Sequence, residues 1–441
     1  MLGKTTLLSG TSLTKMREKN LRIGVLHAGG PASGGNTVLY AAAQRAKDYG
    51  LTVVGFKNGY RELMTLSPKD ILDSALIIGC AEIRYLRDQA GLVIGTDRAN
   101  PGKAIASPED FSDSNKIALL VKVLDNLEAC NIGALITLGG DDTMTTASKL
   151  QTALTSLMST GQKAYENIQG LVHVPKTIDK DYKGIDFTYG YMTAAETIGQ
   201  SIKHLHDDAK ATGTKHKMVA HICEVMGRKA GWLTAAAAIN GQATFTIVPE
   251  DYQGRSDLNI AELARDCVDV ILTRQQQGKY YSVIAIAEGL GDLIPKAEAT
   301  RDEHGHIRLD EVEIGEALKE AILAELSRRE GEHNIKLTAK KLGYEARQVR
   351  PNLYDQLLCQ QLGVSAVDAV VQGLFAHMVS VEGVFDRKYV PFSELINPRT
   401  LRAENWTMDQ NSGLYQLLRA MEQPFERNVG LKEPEEAEAA E

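Results

Sequence analysis

The sequence predicts an α/β protein with two similar parallel-sheet, Rossmann-like domains and an active site in the cleft between them. Two observations carry that reading. Short apolar runs alternate with helix-length stretches along most of the chain, the pattern of parallel sheets covered by helices. Clusters of glycine and charged residues fall just past the apolar runs, where open parallel sheets bind ligands. The 441 residues are enough for two or three domains with large cores.

Residues 21–28 read as the first strand. It runs into Gly29-Gly30-Pro31-Ala32-Ser33-Gly34-Gly35-Asn36 and a helix over about 37–48, with Gly50 as terminator. A glycine-rich turn before a helix exposes N–H groups to anions, although many such turns are glycine-rich for steric reasons alone. Residues 51–56 form a second strand, and residues 91–98 an apolar stretch ending in Arg98. A helix over about 114–128 leads to the central feature. Residues 134–138 read as a buried strand, followed by Gly139-Gly140-Asp141-Asp142-Thr143 and a helix from Met144. One aspartate there could cap the helix. Two carboxylates behind two glycines fit a metal–phosphate group better, because a buried unpaired charge costs several kcal/mol.

A strand at 170–174 delivers Pro175-Lys176-Thr177-Ile178-Asp179-Lys180-Asp181. If the chain stays extended, Asp179 and Asp181 point to one side, one placed as general base and the other orienting it. An Asx-type turn is the competing reading for either aspartate alone. The alternation then repeats. A helix over about 192–209 precedes strands at 217–225, 244–249 and 280–287, with helices over about 258–277 and 311–330. Residues 354–378 read as a helix, and 433–441 as an acidic tail.

The net charge of −8 argues against a general nucleic-acid binder, and no apolar run reaches the length of a membrane span. Cys80, Cys130, Cys223, Cys267 and Cys359 show no paired spacing, which favours reduced thiols and a cytoplasmic location. Residues 1–20 lack the apolar core of a signal peptide. Gly3-Lys4-Thr5-Thr6 echoes the end of a P-loop, but without the strand and the earlier glycine that the motif needs.

Gly-Gly-Pro-x-x-Gly-x-Asn (29–36), Gly-Thr-x-Arg (95–98), Gly-Gly-Asp-Asp (139–142) and Pro-Lys-Thr-Ile-Asp-x-Asp (175–181) occur in that order. Glu-Val-Met-Gly-Arg (224–228), Ala-Glu-Gly (287–289) and Leu-Gly-Tyr-x-x-Arg (342–347) follow. Together they resemble the phosphofructokinase family, over roughly residues 20–380. Residues 1–20 read as a flexible leader and 431–441 as an acidic disordered tail. Between them the resemblance implies a phosphoryl-donor domain over 21–191 plus about 352–400 and a sugar-phosphate domain over 192–351 plus about 401–430.

Family members that use ATP typically carry glycine where Asp142 stands. The pyrophosphate branch carries aspartate there and lysine at the position of Lys176. A carboxylate at Asp142 would repel the α-phosphate of a nucleotide, a built-in clash that rejects one donor. Residues 302–309 are similar to a segment common in that branch. The implied reaction is Mg²⁺-dependent, reversible phosphoryl transfer from pyrophosphate to the 1-hydroxyl of fructose 6-phosphate. By resemblance Asp179 takes the hydroxyl proton, supported by Thr177 and Asp181, and Thr177, Ile178 and Asp179 also bind the sugar. Asp141 holds Mg²⁺, while Gly30, Arg98, Asp142 and Lys176 meet the donor. Met226, Gly227, Arg228 and Glu288 match sugar-binding positions, and Tyr344 and Arg347 match the site for the sugar's phosphate. The bland alternatives are a core Met226, a helix-capping Glu288 and a surface-paired Arg347.

The chain departs from the family at Ser33 and Lys180, usually proline and asparagine. It also has Val219 and Thr338 where ATP-using members place arginines that reach a neighbouring subunit's sugar phosphate. Lys217, Lys340 and Lys341 lie near, but lysine does not reproduce a bidentate arginine clamp. A longer sugar phosphate such as sedoheptulose 7-phosphate, ATP as donor, and a non-catalytic regulatory subunit therefore stand as alternatives. NAD kinase shares only the Gly-Gly-Asp turn, and Gly29-Gly30 does not fit dinucleotide-binding spacing. A homodimer or homotetramer is expected from the resemblance.

Overall fold

A computed structural model describes residues 10–79, 84–255, 258–293, 313–383 and 385–424. Cys80, the 302–309 segment, the P-loop echo and the acidic tail lie outside the described residues. The chain divides into two compact units, Met1–Ala194 with Tyr344–Trp406, and Ala195–Gly343 with Thr407–Glu441.

The first unit is built on seven strands among the described residues: β1 (Arg22–Ala28), β2 (Val53–Gly55), β3 (Leu76–Ile78), β4 (Ile132–Gly139), β5 (Gly170–Pro175), β10 (His377–Glu382) and β11 (Asp386–Pro391). Their order is β11-β10-β5-β4-β1-β2-β3, parallel except for the two edge pairs β2–β3 and β10–β11. All eight residues of β4 are buried, as expected for a strand covered on both faces. That double burial is why its sequence is a continuous apolar run rather than an alternating one. β1 pairs with β2 on one side and β4 on the other, so the strand order reverses beside β1. Open sheets form a ligand crevice at such a switch point, at the carboxyl ends of the strands. The register sets the site: Ala28 pairs with Gly139, and Gly139 with Pro175. The three loops that follow therefore start side by side.

The second unit holds β6 (Met218–Val225), β7 (Phe245–Ile247), β8 (Tyr281–Ala287) and β9 (Ile335–Leu342), all parallel in the order β7-β8-β6-β9. Val225 pairs with both Ala287 and Leu342. The residues after these strands thus also share one carboxyl edge. Its core packs Phe245, Ile284, Ile286 and Leu318 with helix Ile260–Gln276.

Three expectations are corrected. Within the expected flexible leader, Thr11–Glu18 is a helix, because Leu13 and Met16 share one face and are buried. The helix expected over 354–378 is Leu353–Gln372, ended by Gly373 at φ 74°. Residues beyond it form the β10–β11 hairpin. Finally, the boundary expected near 351 falls between Gly343 and Tyr344, which places Tyr344 and Arg347 in the first unit.

Candidate active site

Gly140 is the N-cap of helix Asp141–Ser159, and Asp141 and Asp142 occupy its first two positions. Neither aspartate is the cap itself. Asp141 Oδ1 instead accepts the Asp142 N–H at 3.0 Å. Both carboxylates stand at the positive end of the helix dipole. The adjacent glycines differ in purpose. A Cβ at Gly139 would lie 2.3 Å from Thr143 Oγ1, so that glycine serves the helix start. At Gly140 the nearest atom is the Lys176 carbonyl at 3.7 Å, which leaves room for a ligand.

Lys176 leaves the end of β5, its N–H donating to the Gly139 carbonyl at 2.9 Å. Its side chain is 6 % exposed, and a Cβ on Gly29 would meet Nζ at 3.8 Å. The amine therefore lies under the glycine-rich turn after β1. Burial first, then the Arg347 guanidinium, pulls its pKa from 10.5 down to about 8, against the pull of Asp179, Asp141 and Asp181. Lys176 thus feels three of the expected site carboxylates. The same interaction reveals Arg347. Its guanidinium carbon lies 3.8 Å from where a Gly30 Cβ would be, and it stacks on the Tyr344 ring at 4.8 Å. Arg98 is exposed, and its neighbour Asp97 bridges to Ala28 and pairs with Arg61.

The loop carrying the acid pair is not extended. Thr177 Oγ1 accepts the Asp179 N–H at 3.0 Å, and Lys180 adopts φ 56°. The alternation argument for Asp179 and Asp181 therefore does not hold, because a residue in the left-handed region turns the chain between them. Ile178 is buried, while Asp179 and Asp181 are half-buried. Thr188 donates its hydroxyl to the Thr177 carbonyl at 2.7 Å and closes the loop.

Beneath this loop runs a buried relay. Thr137 on β4 and His173 on β5 are register partners, bonded through Oγ1 and Nδ1 at 2.9 Å. His173 Nε2 meets Tyr182 Oη at 2.9 Å, and that hydroxyl also donates to the Gly139 carbonyl at 3.3 Å. Burial drives the His173 pKa down to about 3, so the ring is neutral and acts as a hydrogen-bonding spacer. Sequence reasoning missed Tyr182. The one signal was a polar His173 inside an apolar strand.

In the second unit Met226 is buried, its N–H donating to Leu342 and its side chain packed against Gly343. Gly227 has φ 140° and donates to buried Glu288 at 3.2 Å. Gly289 in turn donates to the Gly227 carbonyl at 3.2 Å. Met226, Gly227, Arg228 and Glu288 therefore form one bonded turn at the edge of β6 and β8. Val219 is a core residue, and Thr338 Oγ1 is bonded to His221 at 2.6 Å. Lys341 pairs with Glu224 at 3.0 Å, while Lys217 is exposed.

Mg²⁺ is commonly held by one or two carboxylates plus substrate phosphates. Asp141 and Asp142, hard oxygen donors at a turn with room beside Gly140, fit that pattern. Among the described residues no group of three or more His, Cys, Asp or Glu side chains is placed to hold a metal alone. Cys130, Cys223, Cys267 and Cys359 are buried and not joined in disulfides. Among the described residues no helix is long and apolar enough to cross a membrane.

A buried lysine, an arginine and four carboxylates beside glycine-rich turns at a parallel-sheet switch point define a phosphate-handling α/β protein. The chain belongs to the phosphofructokinase family, matching it over residues 22–370. It is 30 % identical to a pyrophosphate–fructose 6-phosphate 1-phosphotransferase of Naegleria fowleri, across 97 % of this chain and 95 % of that one. It is 29 % identical to an ATP-dependent 6-phosphofructokinase of Chloroflexus aurantiacus, across 86 % of this chain and 92 % of that one. Its fold matches a phosphofructokinase structure from Saccharomyces cerevisiae with a TM-score of 0.63 and 23 % identity. That match covers 85 % of this chain and 45 % of the yeast chain.

Proposed function

We propose that this chain transfers a phosphoryl group reversibly from pyrophosphate to the 1-hydroxyl of fructose 6-phosphate, with Mg²⁺ and in the cytoplasm. Most of the similar relatives are named as pyrophosphate enzymes, although an ATP-dependent one is 29 % identical. The observation that carries the choice is the buried Lys176 amine beneath Gly29, together with Asp142 at the start of the neighbouring helix. Lys176 adds positive charge where a short donor ends, and Asp142 adds negative charge where a nucleotide would continue.

In this reading Asp179 accepts the proton of the sugar hydroxyl, and Asp181 and Thr177 support its loop. Asp141 holds Mg²⁺, which when bound neutralises charge on the donor oxygens. Gly30 offers its N–H, and Arg98 and Lys176 their charge, to the donor phosphates. Such a reaction depends mainly on positioning and charge neutralisation. Met226, Gly227, Arg228 and Glu288 shape the sugar site. Tyr344 and Arg347 are assigned by resemblance to the sugar's phosphate, whereas the place of Arg347 beside Gly30 and Lys176 favours a donor contact. The pyrophosphate and sugar phosphate bonds are of comparable energy, which is the ground for reversibility. A homodimer or homotetramer is the assembly expected from the family.

The test is a coupled assay with fructose 6-phosphate and Mg²⁺, run separately with pyrophosphate and with ATP. Turnover with pyrophosphate alone is expected. Turnover with ATP alone would remove the argument from Asp142 and Lys176. Turnover on sedoheptulose 7-phosphate in preference would move the acceptor to the longer sugar.

A further inference from the structure

We propose that residues 403–406 and Lys180 form a positioning strap that holds Asp179 and Asp181 at a fixed distance from the helix carrying Asp141 and Asp142. The inference rests on the reaction proposed above for its catalytic consequence, and on geometry alone for its structural one.

The strap touches both halves of the donor-side site. At one end the Ala403 N–H donates to Thr145 Oγ1 at 3.0 Å, and Thr145 lies on helix Asp141–Ser159. At the other end the Trp406 N–H donates to the Asp181 carbonyl at 2.8 Å. Between them Asn405 pairs with Tyr182 as an antiparallel bridge, and Glu404 forms an ion pair with Lys183. Three consecutive residues, Glu404, Asn405 and Trp406, therefore grip the 181–183 stretch through backbone and side chain, while Ala403 reaches the helix. The strap is itself anchored, the Glu404 N–H donating to the Leu395 carbonyl at 3.0 Å and Ala403 bridging to Ile396.

Lys180 explains why a grip is needed. It is a non-glycine residue at φ 56°, between the two aspartates. That conformation is unfavourable for an L-residue and persists only where surroundings hold it. Its ammonium is the holding group. It lies 4.1 Å from the Trp406 ring centroid and 5.1 Å from that of Phe187, with the residue 6 % exposed. A cation over an aromatic face shielded from water is a strong contact for its size. The charge at position 180 thus fastens the strained residue to the strap, and the strap fastens the loop to the helix. Catalysis by positioning is sensitive to displacement, since misplacement by 1 Å costs ~100-fold.

The test compares Trp406→Phe, Trp406→Leu and Lys180→Met in the full chain, by steady-state kinetics and by amide hydrogen exchange of the peptide over 177–190. Trp406→Phe keeps a ring for the ammonium and is expected to hold kcat within ~3-fold of wild type. Trp406→Leu and Lys180→Met are expected to lose ~10-fold or more in kcat, with KM for both substrates within ~2-fold, and to exchange faster over 177–190. Wild-type kcat in both, a loss carried by KM, or unchanged exchange over 177–190 would overturn the strap. Should Trp406→Leu fail to fold, Lys180→Met, which keeps the stem and removes the charge, decides alone. A wild-type enzyme inactive with pyrophosphate would sink the proposed reaction. The exchange comparison would still decide the strap.

Discussion

Replacing Lys176 by methionine should make the protein more stable and its pyrophosphate chemistry worse. The stem is nearly conserved, so the change removes little besides the charge. In the folded chain the ammonium's pKa falls from 10.5 to about 8, mainly through burial. At ~1.4 kcal/mol for each tenfold, that drop means the charged form costs the fold ~3 kcal/mol at pH 7. The figure already contains the attraction of Asp179, Asp141 and Asp181. Between pH 8 and 10.5 the unfolded chain still carries this proton and the folded chain has released it. Raising pH through that window therefore favours the wild-type fold. The methionine variant has no such proton, so its stability advantage, up to ~3 kcal/mol at pH 7, should shrink as pH rises. Against this gain, kcat/KM for pyrophosphate should fall ~100-fold, the scale for losing one stabiliser of an anionic transition state. Wild-type kcat/KM should likewise decline above about pH 8 as Lys176 loses its charge, whereas Lys176→Arg should carry that decline to higher pH. Urea unfolding at pH 7 and pH 10, with donor kinetics, measures both sides. A variant less stable than wild type at pH 7, with kcat/KM for pyrophosphate unchanged, would refute the reasoning.

Three further outcomes are expected. The double change Asp142→Gly with Lys176→Gly should weaken pyrophosphate use and admit ATP; full pyrophosphate turnover in that variant would end the donor argument. Arg347→Ala should raise KM for pyrophosphate ~10-fold while moving KM for fructose 6-phosphate ~3-fold at most, because its guanidinium lies beside Gly30. The opposite split, read by the same kinetics, would restore the assignment made by resemblance. Gly289→Ala would place a Cβ 2.3 Å from the Arg228 carbonyl. It should cost ~1–3 kcal/mol in thermal or urea unfolding and raise KM for the sugar, since the bonded turn must shift.

Much of the fold was legible because its central strands are parallel and buried on both faces. β4 and β6 have every residue buried, so each reads as a mostly apolar run, interrupted by Thr137 in β4 and by His221 and Glu224 in β6. The candidate site was legible for a related reason, since its charged residues sit just past such runs. What escaped has physical causes. The β10–β11 hairpin follows an apolar helix closely, and only Gly373, in its left-handed cap, marks the change. The helix Thr11–Glu18 shows few apolar residues and forms because Leu13 and Met16 find a core. The Thr137–His173–Tyr182 relay depends on strand register, which one strand's sequence does not reveal. The strap is least legible, because its residues have no periodicity and act through backbone groups. Lys180 gave no sign of a left-handed backbone, and that single torsion undid the alternation argument for Asp179 and Asp181.

Donor identity is the centre of the account, and ³¹P NMR of the wild-type enzyme with fructose 6-phosphate and Mg²⁺ tests it most directly. With pyrophosphate, its resonance should give way to fructose 1,6-bisphosphate and inorganic phosphate, and excess of those products should regenerate it. With ATP, the nucleotide resonances should persist. Consumption of ATP while pyrophosphate remains would contradict the roles given to Asp142 and Lys176.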